Sequence, residues 1–273
     1  MIVDGRAIAT EILVRAKARA AALSRAPRVL AIVANETPAT KSYLSIKGKR
    51  AVDAGCTLDI LRFPEDTSTA ALRAAVLSAD ADAIIVQLPL PIGVDTREVC
   101  NAIPVGKDAD VLSVGARAIF ESDAEGALLP PVVGAVDEIF KRNGVVVAGK
   151  NAVVIGAGFL VGVPVANWLL AQGAHVDVVT SASGNMTELL RTVDIVVSGA
   201  GSPHLIKPSM LTPGVILIDA ATSESNGIIV GDIDPACAEI ASLFTPVPGG
   251  VGPIAVALLF ENTVTLAERT TNS

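Results

Sequence analysis

The chain has 273 residues, 51% of them hydrophobic, which is enough for one large or two modest cores and excludes a disordered polymer. Its net charge of −7, with no basic tract, argues against a nucleic-acid partner, although local backbone N–H groups can still hold a small anion. No uncharged apolar run reaches membrane-spanning length and MIVDGRAIATEIL has no signal-peptide layout, so a cytoplasmic protein with no membrane partner is expected.

Residues 5–24 repeat apolar positions at helical spacing, and RVLAIVA (28–34) is a short β-branched run that predicts a buried strand. A second helix is expected over 38–54, closed by Gly55, then a strand over 57–63, a helix over 69–78 and a strand over 82–90 ending in prolines. This alternation implies a parallel sheet covered on both faces. Residues 104–131 are less regular and contain KDAD. A connecting helix is predicted over 132–144, and the alternation then restarts: strand 151–156, helix 160–173, strand 174–180, strands 194–200, 214–220 and 227–233, and a last helix over 254–268. The pattern gives an α/β protein of two domains with a boundary near 130.

The residue inventory narrows the chemistry. Cys56, Cys100 and Cys237 are far apart and form no CxxC, so neither a disulfide framework nor a zinc site is expected. His175 and His204 are the only histidines, too few for a His-based triad or metal cluster, and no metal is expected. An acid–base group would therefore be Lys, Asp, Glu or Tyr.

VVIGAGFLVG (153–162) combines a strand, a glycine-rich turn and a helix start, the layout that receives a dinucleotide pyrophosphate. Gly156 permits the tight turn, Gly158 a close backbone approach, and the third glycine is Gly162. Spaced as GxGxxxG, the glycines alone are a weak signal; the strand before and the helix after strengthen it. The following strand ends in Thr180, Ser181 and Ser183, where NAD-preferring sites commonly carry Asp or Glu, and Asp177 lies earlier in the strand. The missing carboxylate leans toward NADP, with NAD left open.

In PATKSYLSIKGKR (38–50), Tyr43 and Lys47 stand at i and i+4 and share one helical face. A YxxxK pair also occurs in short-chain dehydrogenases, but there the glycine motif comes first. Taken alone, the spacing is explained better by an amphipathic helix with an exposed lysine. Gln87, in VQLPLP (86–91), stands at the C-terminal edge of a buried strand, where open α/β sheets bind ligands; a capped strand end is the alternative. Asp110, in KDAD, reads either as a cleft carboxylate or as part of a solvated loop. TPVPGGVGP (245–253) packs three prolines and three glycines into nine residues, as a rigid wall against a ligand or as a domain-crossing linker.

YLSIK, VQLPLP, PVGKDAD, GxGxxVGxP (156–164), DIVVSGAGSP, VGDID and TPVPGGVGP, in this order, resemble the bifunctional methylenetetrahydrofolate dehydrogenase/methenyltetrahydrofolate cyclohydrolase family from about Asp4 to Glu268. The resemblance implies a folate-binding catalytic domain (1–130 plus 253–273) and a Rossmann-like NAD(P)-binding domain (131–252), with the last helix returning to the first domain. It implies oxidation of 5,10-methylenetetrahydrofolate with NADP, then hydrolysis of the methenyl product to 10-formyltetrahydrofolate, in a cytoplasmic homodimer serving one-carbon metabolism and purine biosynthesis. Lys47 would be the catalytic lysine, Gln87 its positioning partner, Tyr43 the aromatic wall against the folate and Asp110 the carboxylate that holds the pterin-like ring. Thr40, Leu88, Pro248, Gly249, Gly250 and Pro253 would complete the folate site. Gly156, Ala157, Gly158, Val161, Gly162, Pro164, Thr180, Ser181, Ala200, Gly201 and Thr222 would line the cofactor site.

The sequence departs from the family at several places. Thr40 and Gly158 replace serines, and Val111 replaces a glycine in a shortened loop up to Gly115. Pro131, Val132 and Val133 replace Cys-Thr-Pro, and Ala221, Thr222 and Ser223 replace Gly-Ile-Asn. None removes a proposed proton-transfer residue. Two further readings stay open at this stage: a dehydrogenase with weak cyclohydrolase activity or a related substrate, and a non-catalytic folate- or nucleotide-binding paralogue.

Overall fold

The computed structural model describes residues 1–183, 186–225 and 228–271. The chain divides into two compact units, Thr10–Pro130 with Val256–Ser273, and Met1–Ala9 with Pro131–Ala255. The C-terminal residues 272 and 273 of the expected catalytic domain lie outside the described residues.

The first unit carries a helix α1 (Gly5–Ala20, which begins in the other unit), strand β1 (Arg28–Val33), α2 (Pro38–Asp53), β2 (Thr57–Arg62), α3 (Thr69–Leu77) and β3 (Ala83–Val86). The three strands form a parallel sheet in the order β2-β1-β3. Central β1 and the four residues of β3 are largely buried, as both faces of a parallel sheet must be. Parallel pairing has a positional consequence. The chain leaves β1 toward α2 and leaves β3 toward Gln87 at the same sheet edge.

α2 begins sharply because Thr37 Oγ1 accepts from Thr40 N at 3.1 Å and Pro38 occupies the first turn, where its missing N–H costs nothing. It ends at Gly55, whose φ of +74° suits glycine. Two short helices, α4 (Thr96–Asn101) and α5 (Val114–Glu121), flank and enter the stretch read from sequence as irregular. Six and eight residues are too few turns for a clear apolar period. Their starts are fixed by caps instead: Asp95 Oδ1 accepts from Glu98 N, and Ser113 Oγ from Ala116 N.

The second unit contains α6 (Pro131–Arg142), β4 (Asn151–Ile155), α7 (Gly162–Ala171), β5 (His175–Val179), α8 (Met186–Leu190), β6 (Ile195–Ser198), β7 (Ile216–Asp219), β8 (Ser223–Ser225), β9 (Ile228–Val230) and β10 (Leu243–Phe244). Its five-stranded sheet is parallel, in the order β10-β7-β6-β4-β5. The chain runs from β4 outward to β5, then back past β4 to β6. The strand order therefore reverses at the C-terminal end of β4, where a doubly wound sheet opens a crevice. Val153, Ile155, Val196, Leu217, Ile206 and Ile233 belong to one buried core, and Phe140 of α6 meets Trp168 of α7 with ring centroids 6.1 Å apart.

The strand expected over 227–233 shrinks to β9, which pairs antiparallel with β8; Gly227 lies outside the described residues. β10, with two residues, carries too little sequence for a strand signal.

The two compact units are bounded differently from the expected domains at both ends. Met1–Ala9 groups with the second unit, because residues 1–3 extend its sheet beyond β10. Val3 N donates to Phe244 O, Phe244 N to Met1 O, and the terminal amine to Ser242 O, all at 2.8–2.9 Å. The first turn of α1 then meets the Pro-Gly loop so closely that a Cβ at Gly5 would lie 1.9 Å from Gly250 O. The final helix α9 (Val251–Thr271) starts in the second unit and continues in the first from Val256. α9 has the length and hydropathy of a membrane span, yet Ile254, Ala257, Phe260 and Val264 are fully buried, and Glu261 pairs with Arg15 of α1 at 2.5 Å. It is a core helix.

Candidate active site

In the first unit the predicted residues fall on three elements. Thr40, Tyr43 and Lys47 lie on successive turns of α2, with Thr40 buried and the other two partly exposed. Thr40 Oγ1 lies 3.0 Å from Thr37 Oγ1, so its hydroxyl belongs to the helix cap. Gln87 and Leu88 follow β3 directly, and the Leu88–Pro89 peptide is cis. Asp110 stands after the 3₁₀ turn Val105–Lys107.

The structure joins two of these directly. Lys47 Nζ donates to Gln87 Oε1 at 2.9 Å. Gln87 is itself held at both ends: its backbone N donates to Ile32 O of β1, and its Nε2 donates to Leu88 O at 2.9 Å. With its amide fixed, Gln87 presents a carbonyl oxygen, a pure acceptor, to the lysine.

Burial pushes the Lys47 amine down from its ordinary value, and the Asp110 charge opposes that shift. Burial pushes the Asp110 carboxyl up, Lys47 pulls it down, and Asp108 adds to the rise. Each group thus makes ionisation of the other easier while the surroundings resist both.

Sequence reading missed what holds the Asp110 loop. Asp108, fully buried, accepts from Leu112 N at 3.0 Å and from Ser113 N at 2.7 Å. Asn262 of α9 donates to both Ala109 O at 2.9 Å and Leu129 O at 3.0 Å. Val111 has φ +55°, the region that favours the glycine usual there, and keeps this conformation with its side chain buried. Asn262 stands between Glu261 and Thr263, and neither its role nor that of Asp108, two residues before Asp110, is marked locally in the sequence.

In the second unit, Pro248, Gly249 and Gly250 precede α9, and Pro253 sits in its first turn. Gly249 has φ +112°, and a Cβ at Gly250 would lie 2.7 Å from Pro246 O. The bareness of this loop serves first its fold against itself and the first turn of α1.

Gly156, Ala157, Gly158, Val161, Gly162 and Pro164 form the turn between β4 and α7. Gly156 has φ +94°, and a Cβ there would meet Gly199 O at 2.9 Å and Ala200 Cα at 3.0 Å. A Cβ at Gly162 would lie 1.9 Å from Gly156 O, and one at Gly199 2.5 Å from Val161 Cγ1. Gly158, in contrast, faces open space. The turn is folded tightly against its own backbone and the loop after β6, while its outer side stays clear at the start of α7. That is the cradle a pyrophosphate needs, with the helix N-terminus supplying a positive dipole end.

Ala200 and Gly201 follow β6 and are exposed, as is Thr222 after β7. Thr180 and Ser181 follow β5 in a turn closed by Thr180 N donating to Ser183 Oγ at 2.9 Å; Asp177 lies within the strand. Among the described residues no cluster of His, Cys, Asp or Glu could hold a metal ion.

A family model for the tetrahydrofolate dehydrogenase/cyclohydrolase catalytic domain matches residues 3–110, and the model for the NAD(P)-binding domain of the same enzymes matches residues 130–271. The chain belongs to the tetrahydrofolate dehydrogenase/cyclohydrolase family. It is 36% identical to the bifunctional protein FolD of Lacticaseibacillus paracasei over 98% of each chain. Among solved structures, it is similar to the bifunctional FolD of Campylobacter jejuni, with a TM-score of 0.94, 30% identity and 99% of each chain covered. FolD of Trypanosoma brucei, complexed with NADP and an inhibitor, also gives 0.94, at 32% identity over 100% of this chain and 99% of that one. The second unit is accordingly an NAD(P)-binding domain of two-domain α/β type.

The glycine contacts make a direct prediction. Gly162→Ala forces the turn off Gly156 O and should weaken dinucleotide binding by about 10–100-fold, the equivalent of ~1–3 kcal/mol of overpacking. Calorimetric titration with NADP checks it, and unchanged affinity would show that the turn does not shape the site.

Proposed function

We propose that this protein oxidises 5,10-methylenetetrahydrofolate to 5,10-methenyltetrahydrofolate with NADP and hydrolyses that product to 10-formyltetrahydrofolate. The observation that carries the reading is the 2.9 Å contact of Lys47 Nζ with Gln87 Oε1, at the ligand-binding edge of the first sheet, in a chain of this family.

NADP, when bound, supplies the acceptor for the hydride that leaves the methylene carbon. The residues of the glycine turn, Gly156 to Gly162 with Pro164, would hold it, together with Ala200, Gly201 and Thr222. Thr180 and Ser181 would face its adenosine ribose, where the absence of a strand-end carboxylate removes repulsion against a 2′-phosphate. This part of the chain needs only to bind and orient, because the reacting carbon is already activated by its two nitrogens.

Hydrolysis asks more of the protein. Water adds to the methenyl carbon and loses a proton; the ring C–N bond then breaks as the departing nitrogen gains a proton and the new hydroxyl releases one to solvent, leaving the formyl carbonyl. Lys47 in its neutral form accepts the first proton and, as ammonium, returns one to the nitrogen. An amine does both near neutral pH only if its proton is held loosely, and the burial of Lys47 acts in that direction. Gln87 fixes the direction of the amine. Asp110 would accept hydrogen bonds from the pterin-like ring, and Tyr43 would stack against it, with Thr40 and Leu88 beside them. The same reading makes the protein a cytoplasmic homodimer, built through its nucleotide domains, that supplies one-carbon units for purine biosynthesis without nucleic-acid or membrane partners.

Two measurements test this reading. Lys47→Ala should lower cyclohydrolase turnover by about 10²–10⁴-fold, the usual contribution of a positioned acid–base group, followed as decay of the methenyl absorbance. Wild-type rates in that variant would remove Lys47 from the mechanism. In the dehydrogenase direction, kcat/KM with NADP should exceed that with NAD by about tenfold or more, the worth of one charge-assisted contact to the 2′-phosphate. A preference for NAD would overturn the strand-end argument.

A further inference from the structure

Asp232 stands between β9 and the segment leading to Pro235, with its side chain fully buried. Its carboxylate is saturated with donors from one loop. Oδ2 accepts from Ser198 Oγ at 2.6 Å, Ala200 N at 2.8 Å and Gly201 N at 3.3 Å, and Oδ1 accepts from Ser202 N at 2.6 Å. Three successive backbone N–H groups that converge on one point form an anion-binding concavity. Here the protein's own carboxylate fills it, so these N–H groups turn inward rather than toward a ligand.

The loop held in this way is a wall of the glycine turn. Gly199 O and Ala200 Cα are the atoms that leave no room for a Cβ at Gly156, and Val161 packs where Gly199 lacks one. A shift of a few tenths of an ångström in residues 199–201 would therefore be transmitted to the turn between β4 and α7. The second buried carboxylate nearby, Asp219, supports the same region differently. It accepts from Ile233 N at 2.8 Å and Ala221 N at 3.2 Å, and a Cβ at Gly231 would lie 2.0 Å from its Oδ2. Asp219 thus holds the backbone next to Asp232, not the loop itself.

We infer that Asp232 is a positioning residue for the dinucleotide: it touches no ligand, and it sets the backbone of residues 199–202 against which the glycine turn closes. The inference rests on the dinucleotide site proposed above. It also explains why a carboxylate, rather than an amide, is placed there. Four donors point at the two oxygens, and Asn would bring an NH₂ group against one set of them, leaving buried donors unpaired.

The test is Asp232→Asn, with Ser198→Ala as a milder companion that removes only the hydroxyl donor. NADP affinity is read by calorimetry, and KM and kcat by dehydrogenase assay. Cyclohydrolase turnover, which consumes no dinucleotide, is the internal comparison. For Asp232→Asn we expect NADP binding weakened about tenfold or more, the equivalent of losing at least one buried hydrogen bond to a charged group, with KM for NADP rising by a similar factor and kcat and cyclohydrolase turnover falling less. Ser198→Ala should weaken binding about threefold. Unchanged NADP affinity in folded Asp232→Asn would overturn the inference, and so would equal losses in both activities, the mark of a merely structural role. If Asp232→Asn does not fold, unchanged affinity in Ser198→Ala overturns it. Failure of the wild-type protein to bind NADP would instead remove the dinucleotide reading on which this one rests.

Discussion

A lysine amine held partly out of water, with a carboxyl group acting on it and a carbonyl oxygen 2.9 Å away, is an arrangement that the rest of the chain must stabilise. Desolvation favours the neutral amine, while the Asp110 charge favours the ammonium. The balance leaves the proton less tightly held than on a lysine in solvent, which is what reversible proton transfer near neutral pH requires. Keeping that balance depends on position. α2 must start at the sheet edge where β3 ends, which parallel pairing of β1 with β3 guarantees and the Thr37 cap makes sharp. Gln87 must present its oxygen and not its NH₂, which its bond to Leu88 O enforces. Asp110 must stay put in a loop without regular structure, which Asp108 and Asn262 secure by saturating its backbone.

The nucleotide unit solves a different problem, close approach of backbone to backbone. Gly156, Gly162 and Gly199 each occupy a place where a methyl group would collide with main-chain or side-chain atoms of the same turn and loop. The compact inner side that results lets the outer side, at Gly158 and the start of α7, stay open. Buried carboxylates then act as internal anions. Asp232 draws together the N–H groups of residues 200–202, and Asp219, its carboxyl pushed up to about 6 mainly by burial, ties β7 to the segment after β9. The same chemistry, N–H groups closing around a carboxylate, recurs at Asp108 in the other unit. Loops in both units are thus tied by buried acids as well as by packing.

Much of this was legible in the sequence, for physical reasons. Strand segments buried on both faces, such as AIV in β1 and AIIV in β3, must be apolar throughout, and the glycine turn must be glycine where a Cβ would collide. The i, i+4 spacing of Tyr43 and Lys47 put them on one helical face whatever the tertiary structure. What could not be read depends on contacts distant in sequence. Asn262 meets Ala109 across 153 positions, and Asp232 meets Ser198 across 34. Nothing local states either contact, although VGDID, which carries Asp232, is among the motifs of the family resemblance. The pairing of the N-terminal residues with Phe244 likewise leaves no trace in MIVDG. The Pro-Gly loop was readable as stiff and bare, but not the part of that bareness that accommodates Gly5.

The central claim is that Lys47 holds its proton loosely. It is tested most directly by following the ¹³Cε resonance of Lys47 through a pH titration of protein labelled at lysine, with the signal assigned by its loss in Lys47→Arg. The account predicts a midpoint below the ordinary lysine value of about 10.4, set apart from the exposed lysines of the same sample. A midpoint at or above that value would mean that the Asp110 charge outweighs burial, and that Lys47 is a fixed cation rather than the group that moves the proton.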